Sequence, residues 1–237
     1  MRVVTQVRQL GVGAVCGAAI VCLSAAPAMA QQIEASFEGG YTASEGINLT
    51  QSRPVLGNVY NSLDITSGGS YGFTIGAFLG PSFEIEFLWH RQSSTLEASD
   101  PAPARKIISQ DVDNYLANFV YNWGDSKTMV RPFVSFGLGA THYAPGDYDS
   151  SLPGAATLPR IDGFSKFAGS LGGGVKLYPA HNVGVKGTVR WTPTYIKSDA
   201  GGLWCDPFYP TCWVVGDPDY SNQFEFSGGI TFRFGGR

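Results

Sequence analysis

Charge is scarce in this 237-residue chain: Asp, Glu, Lys and Arg make up 15% of it, against about 25% in a typical soluble domain. A basic excess is missing too. Sixteen Lys and Arg stand against 19 Asp and Glu, for a net charge of −3. A nucleic-acid partner would gain no electrostatic support from that balance, and none is expected. Beyond residue 30 there is no run of 18 apolar residues, which excludes a membrane-spanning helix in that part. Cysteine is sparse, with four in all. What is plentiful is glycine, 31 residues, and aromatics, 13%. Glycine weakens helices, so the composition does not suit an all-helical protein.

The first thirty residues read as an address. Arg2 and Arg8 form a positive start, Leu10 to Leu23 an apolar stretch, and Ala28-Met29-Ala30 a small-residue cleavage site. That is the pattern of a cleaved secretory signal peptide, residues 1–30, and its apolar stretch is too short to span a bilayer. Cleavage leaves 31–237 as one domain with 14 basic and 19 acidic residues, net −5. Cys16 and Cys22 leave with the peptide. Cys205 and Cys212 remain, and an even pair in an exported chain reads as a disulfide. A two-cysteine metal site lacks further ligands, and no cofactor is expected.

The domain carries eight segments of period-two alternation, the mark of strands with two different faces. Ile33, Phe37 and Tyr41 oppose Glu34 and Glu38. Tyr71, Phe73 and Ile75 oppose Gly72 and Thr74. Phe83, Ile85, Phe87 and Trp89 oppose Glu84, Glu86 and His90. Tyr115, Phe119 and Tyr121 oppose Asn114, Asn118 and Asn122. In the second half, Val134, Phe136 and Leu138 oppose Arg131 and Ser135. Phe167, Leu171 and Val175 oppose Lys166, Ser170 and Lys176. Val185, Val189 and Trp191 oppose Lys186 and Arg190. Phe224, Phe226, Ile230, Phe232 and Phe234 oppose Glu225 and Arg233. Each segment runs about ten to thirteen residues, long enough when tilted to cover the apolar band of a transmembrane barrel; strands in soluble sheets average about five or six.

Alternation alone leaves open which face is wet, since a soluble barrel puts its apolar face inside. Three features favour the membrane. Short turns at 80–82, 124–128 and 179–182 alternate strictly with long connections at 44–69, 94–111, 144–162 and 196–221. Aromatic residues gather at both ends of the apolar face, as at two membrane interfaces. The polar face mixes five acids with six bases, suited to a narrow lumen of paired side chains. The expected fold is all-β: an eight-stranded antiparallel up-and-down transmembrane β-barrel with short periplasmic turns and long external loops. An isolated buried charge costs several kcal/mol, so each lumenal charge is expected to be paired.

Four motifs carry a resemblance: Gly72-Phe73-Thr74-Ile75-Gly76 before Pro81, Arg131-Pro132-Phe133-Val134 followed by Gly137-Leu138-Gly139, Val189-Arg190-Trp191-Thr192, and Ser227 to Phe234. The whole of 31–237 resembles the eight-stranded outer-membrane beta-barrel family that includes OmpA-like transmembrane domains. The resemblance implies residence in the outer membrane of a Gram-negative-type bacterium, as a monomer in contact with outer-membrane lipid and lipopolysaccharide. The last strand, with Phe232 and Phe234, is similar to the family's signal for the outer-membrane assembly machinery. Gly235-Gly236-Arg237 follows here, where the family commonly ends on the aromatic. The resemblance also implies carboxylate–guanidinium pairs in the lumen, at Glu84 or Glu86 facing Arg190. It implies no peptidoglycan-binding domain, because the chain stops after the eighth strand.

No catalytic residue is assigned. His90 with Ser93 and Ser94 comes nearest, but lipid-trimming barrels place the serine two residues after the histidine and face the pair outward; His90 has lumenal parity. Asp147, Asp149, Asp217 and Asp219 read as solvated loop carboxylates rather than Ca²⁺ ligands. The glycine clusters lie inside strands and are not phosphate loops. The connection 196–221, with Trp204, Phe208, Tyr209, Trp213 and Tyr220 around the Cys205–Cys212 pair, is a candidate contact surface for an extracellular partner. The role expected is structural or surface-interacting. A narrow pore for small solutes is the alternative, and a lipid-modifying enzyme the third reading.

Overall fold

The computed structural model describes residues 32–45, 47–55, 58–101, 103–124, 128–152, 155, 160, 162–196 and 219–235. Residues 1–30, expected as a signal peptide, and Cys205 and Cys212, expected as a disulfide, lie outside these, as does most of 196–221. The described chain is almost wholly strand: β1 (Ile33–Ser44), β2 (Ile47–Val55), β3 (Asn58–Ile65), β4 (Gly68–Phe78), β5 (Phe83–Pro101), β6 (Arg105–Asn122), β7 (Val130–Tyr148), β8 (Phe164–Leu177), β9 (Val183–Ile196) and β10 (Asp219–Phe234). All pairings are antiparallel, and eight of the strands close on themselves in the order β1-β4-β5-β6-β7-β8-β9-β10, with β10 returning to β1. Closure removes the unpaired edges that an open sheet would expose to lipid.

The register fixes the barrel's dimensions. Followed from Ile33 through Ala77, Ile85, Phe119, Phe136, Leu171, Trp191 and Phe224, the row of paired residues returns to β1 at Ala43. The displacement from 33 to 43 is a shear of ten residues. Eight strands at that stagger tilt by about 40° and enclose a lumen only wide enough for side chains.

Both faces follow the parity read from the sequence. Phe37, Phe119, Phe136, Leu171 and Phe226 are each more than half exposed on the outside, while Glu34, Glu84, Glu86, Arg131, Lys176, Lys186 and Arg190 are buried. An inverted burial of this kind is stable only where the exterior solvent is lipid. Aromatic pairs bracket the apolar band: Phe83, Tyr121 and Trp123 beside the tight turns, and Tyr71, Trp89, Trp191 and Phe224 at the other end.

The tight turns at 80–82 and 179–182 stand where the sequence puts them, and β6 and β7 end on either side of 124–128, but the long connections differ. Residues 44–69, expected as a loop, contain the β2–β3 hairpin, and β3 pairs with the upper part of β5 from Ile65–Leu96 to Tyr60–Pro101. Residues 94–111 are nearly all strand, since β5 runs to Pro101 and β6 begins at Arg105. Likewise β7 continues to Tyr148 and β10 begins at Asp219. The reason is continued inward parity: Leu96, Ala98, Ile108 and Val112 are buried on the same face as Leu88 and Leu116, so apolar burial carries the strands past the membrane.

Candidate functional site: the lumen

Inward-facing side chains of all eight barrel strands meet on the axis. Among the described residues, five buried lumenal carboxylates, Glu34, Glu38, Glu84, Glu86 and Glu225, face five buried lumenal cations, Arg131, Lys176, Lys186, Arg190 and Arg233. The acids of β1 and β5 form one wall and the lysines of β8 and β9 the other. The small residues Gly72, Thr74 and Gly76 on β4 leave room between the two acidic strands.

Near the tight turns, the Lys176 ammonium lies 2.8 Å from Glu84 Oε2 and also contacts Glu34. Tyr178 donates its hydroxyl to Glu34, and Arg233 lies 3.6 Å from the same carboxylate while covering the Tyr178 ring. Asn122 donates to Glu84 at 3.1 Å. Below them the Arg131 guanidinium donates to the carbonyls of Pro81 at 2.9 Å and Gly124 at 3.4 Å, tying two turns together. Gly124 has φ +92°, a conformation that favours glycine.

One step further along the axis, Lys186 bridges Glu38 at 2.9 Å and Glu86 at 2.8 Å. Asn118 donates to Glu86, and Thr188 and Ser227 donate to Glu38. The Phe133 ring packs beside both lysine ammoniums, 5.5 and 5.4 Å from its centre. Higher still, Arg190 donates to Glu225 at 2.9 Å, and His90 Nδ1 lies 3.2 Å from the same oxygen. A neutral tier follows, in which Asn114 donates to Gln223 and Thr141 joins Asn114 to Thr194. Apolar side chains close the outer end: Leu96, Ile108, Tyr143, Leu152 and Ile196 are all buried, and Tyr143 stacks on Phe164 at 5.1 Å.

Glu84, Glu86, Arg131 and Arg190 all lie inside, whereas Lys166, expected on the same face, is only half-buried. The partners differ from those expected: Arg131, assigned to a lumenal ion pair, donates instead to the backbone carbonyls of Pro81 and Gly124. Arg190 is matched by Glu225 of the neighbouring strand, and Glu84 and Glu86 are matched by Lys176 and Lys186 from across the lumen. Parity placed these lysines on the polar face; which carboxylate they meet depends on the shear, which no single strand encodes. Of the final strand's aromatics, Phe234 projects outward at the barrel's lower rim and Phe232 is half-buried. His90, turned to the axis, has no access to lipid.

A closed eight-stranded barrel with a lipid-facing exterior and an ionic interior defines the class: a transmembrane β-barrel. The chain belongs to the outer membrane protein beta-barrel domain family, whose model matches residues 18–234, and it is an outer-membrane protein of the Gram-negative type. Its fold is similar to that of OprG from Pseudomonas aeruginosa, with a TM-score of 0.54 at 12% identity over 86% of this chain and 96% of that one. It is also similar to Neisserial surface protein A, with a TM-score of 0.50 at 14% identity over 86% and 97%. No curated protein sequence matches the chain.

Proposed function

We propose that the protein is a sealed outer-membrane scaffold whose work is done by the surface it raises outside the cell, as a monomer in lipid and lipopolysaccharide. The observation that carries this reading is the lumen. Lys176, Lys186 and Arg190 are all buried to 2% exposure or less and each is held by carboxylates, so the axis is filled where a pore would be open. Such a plug is costly to move, because separating one buried partner strands a charge. Above it, β5, β6 and β7 continue well beyond the interfacial aromatics Trp89 and Tyr115, with β2 and β3 added to β5. Together these strands raise a surface outside the membrane. The 196–221 connection is the proposed contact for an extracellular partner; delivery to the membrane by the assembly machinery through Phe232 and Phe234 belongs to the same proposal.

Planar-bilayer recording tests it. Folded protein reconstituted at single-molecule density is expected to give no discrete conductance steps in molar KCl. Regular steps from the unaltered protein would overturn the scaffold reading in favour of a narrow pore.

A further inference from the structure

Across β5 to β8 the register sets four polar residues in one row: Arg91, the buried Asp113, His142 and Ser165. The Arg91 guanidinium holds Asp113 with two hydrogen bonds of 2.7 Å. At the other end, His142 Nδ1 and Ser165 Oγ are 3.0 Å apart and reachable from outside. One row closer to the membrane centre stand Trp89, Tyr115, Ala140 and Phe167. Tyr115 and Phe167 project outward, 42% and 59% exposed, with the small Ala140 between them. Ala140 thus lies between two exposed rings on the outer wall, one register row from the Ser165–His142 pair.

We propose that Ser165 and His142 form a nucleophile–base pair acting on carboxylic esters of membrane lipid, with the acyl chain seated against Ala140 between Tyr115 and Phe167. The depth fits the substrate, since interfacial aromatics mark the level where acyl chains meet their ester groups. The separation of the pair fits the chemistry, since a base must lie within hydrogen-bond reach of the nucleophile's proton. With Nδ1 unprotonated, the Ser165 hydroxyl donates to it. Attack by Oγ on the acyl carbon forms the Oγ–C bond while its proton passes to His142. The ester C–O bond then breaks, and the same proton goes to the departing alkoxide. Water, deprotonated by His142, releases the carboxylic acid and restores the serine. No oxidant, reductant or metal is needed. Esters of glycerophospholipids and of acylated sugars share this chemistry.

The test uses the full chain folded into two sets of vesicles, one of phosphatidylethanolamine and phosphatidylglycerol, the other also containing lipopolysaccharide, with released fatty acid measured by mass spectrometry. A fluorophosphonate probe reports the serine independently. Acid release in at least one set, and probe attached to Ser165, are expected. The first set assigns phospholipid, and release confined to the second assigns acylated sugar. Ser165→Ala is expected to abolish both signals, and His142→Gln to lower release by about 100-fold or more, with both variants still running as folded barrels on unheated gels. Ser93→Ala serves as a control and leaves release unchanged. Absence of acid from both sets with folded protein, or release that persists in Ser165→Ala, would overturn the proposal.

Discussion

Lys186 shows how a single residue holds the lumen together. Its ammonium is the shared partner of Glu38 and Glu86, and all three are buried. A buried pair adds little net stability over an apolar replacement of the whole set, but loss of one partner leaves the others uncompensated. Lys186→Met strands two carboxylates and is expected to cost about 3–5 kcal/mol, measured by urea unfolding in lipid vesicles; a change under about 1 kcal/mol would mean that the two glutamates find protons or water at little cost. Leu171 tests the opposite face. It is 54% exposed near the middle of the apolar band, so Leu171→Arg puts a cation into hydrocarbon and is expected to cost about 2–4 kcal/mol in the same assay. An unchanged midpoint would place Leu171 away from lipid.

At the scale of elements, the seam between β1 and β10 is the most demanding contact. Twelve residues of β1, Ile33 to Ser44, are matched from Phe234 to Gln223, and this pairing turns a sheet into a barrel. Gly229 sits in the seam opposite Glu38, and a Cβ there would stand 2.0 Å from the Phe37 carbonyl oxygen. The obstacle is backbone, so it cannot rotate away. Gly229→Val is therefore expected to block closure, seen as loss of the compact unheated form on gels, whereas Gly228→Ala, with its nearest neighbour at 3.9 Å, is expected to fold. Equal behaviour of the two variants would contradict the seam geometry.

Strand identity and face were legible in the sequence because both rest on local parity: Phe37 and Glu38 differ by one position and lie on opposite sides of the wall. The ends of the tall strands were less legible. Leu96 and Ile108 continue the inward parity, yet Ser93, Ser94, Pro101 and Pro103 interrupt it with residues that usually mark loops. The hairpin of β2 and β3 was hidden for a related reason: its pairing to β5 is a tertiary fact that its own composition does not announce. Lumenal partners were hidden more deeply still. Glu84 and Lys176 are 92 positions apart, and their meeting at 2.8 Å follows from eight registers acting together.

For the molecule as a whole, closure and charge balance act together. Every barrel strand has two partners, so no strand can leave without breaking two ladders, and the ten lumenal charges cancel only while both walls stay in place. Detergent reaches the outer face without disturbing either, because that face already meets apolar solvent. Unfolding should therefore be cooperative and slow at room temperature in sodium dodecyl sulfate, and complete after boiling. An unheated sample is expected to migrate faster than a boiled one, as a compact cylinder against an extended chain, and membrane fractionation should find the compact form with the outer membrane. A single mobility at all temperatures would indicate an open sheet. In that case the exposed ring of Phe119 and the buried ammonium of Lys176 would have to exchange surroundings, since an open sheet in water cannot keep the first outside and the second dry.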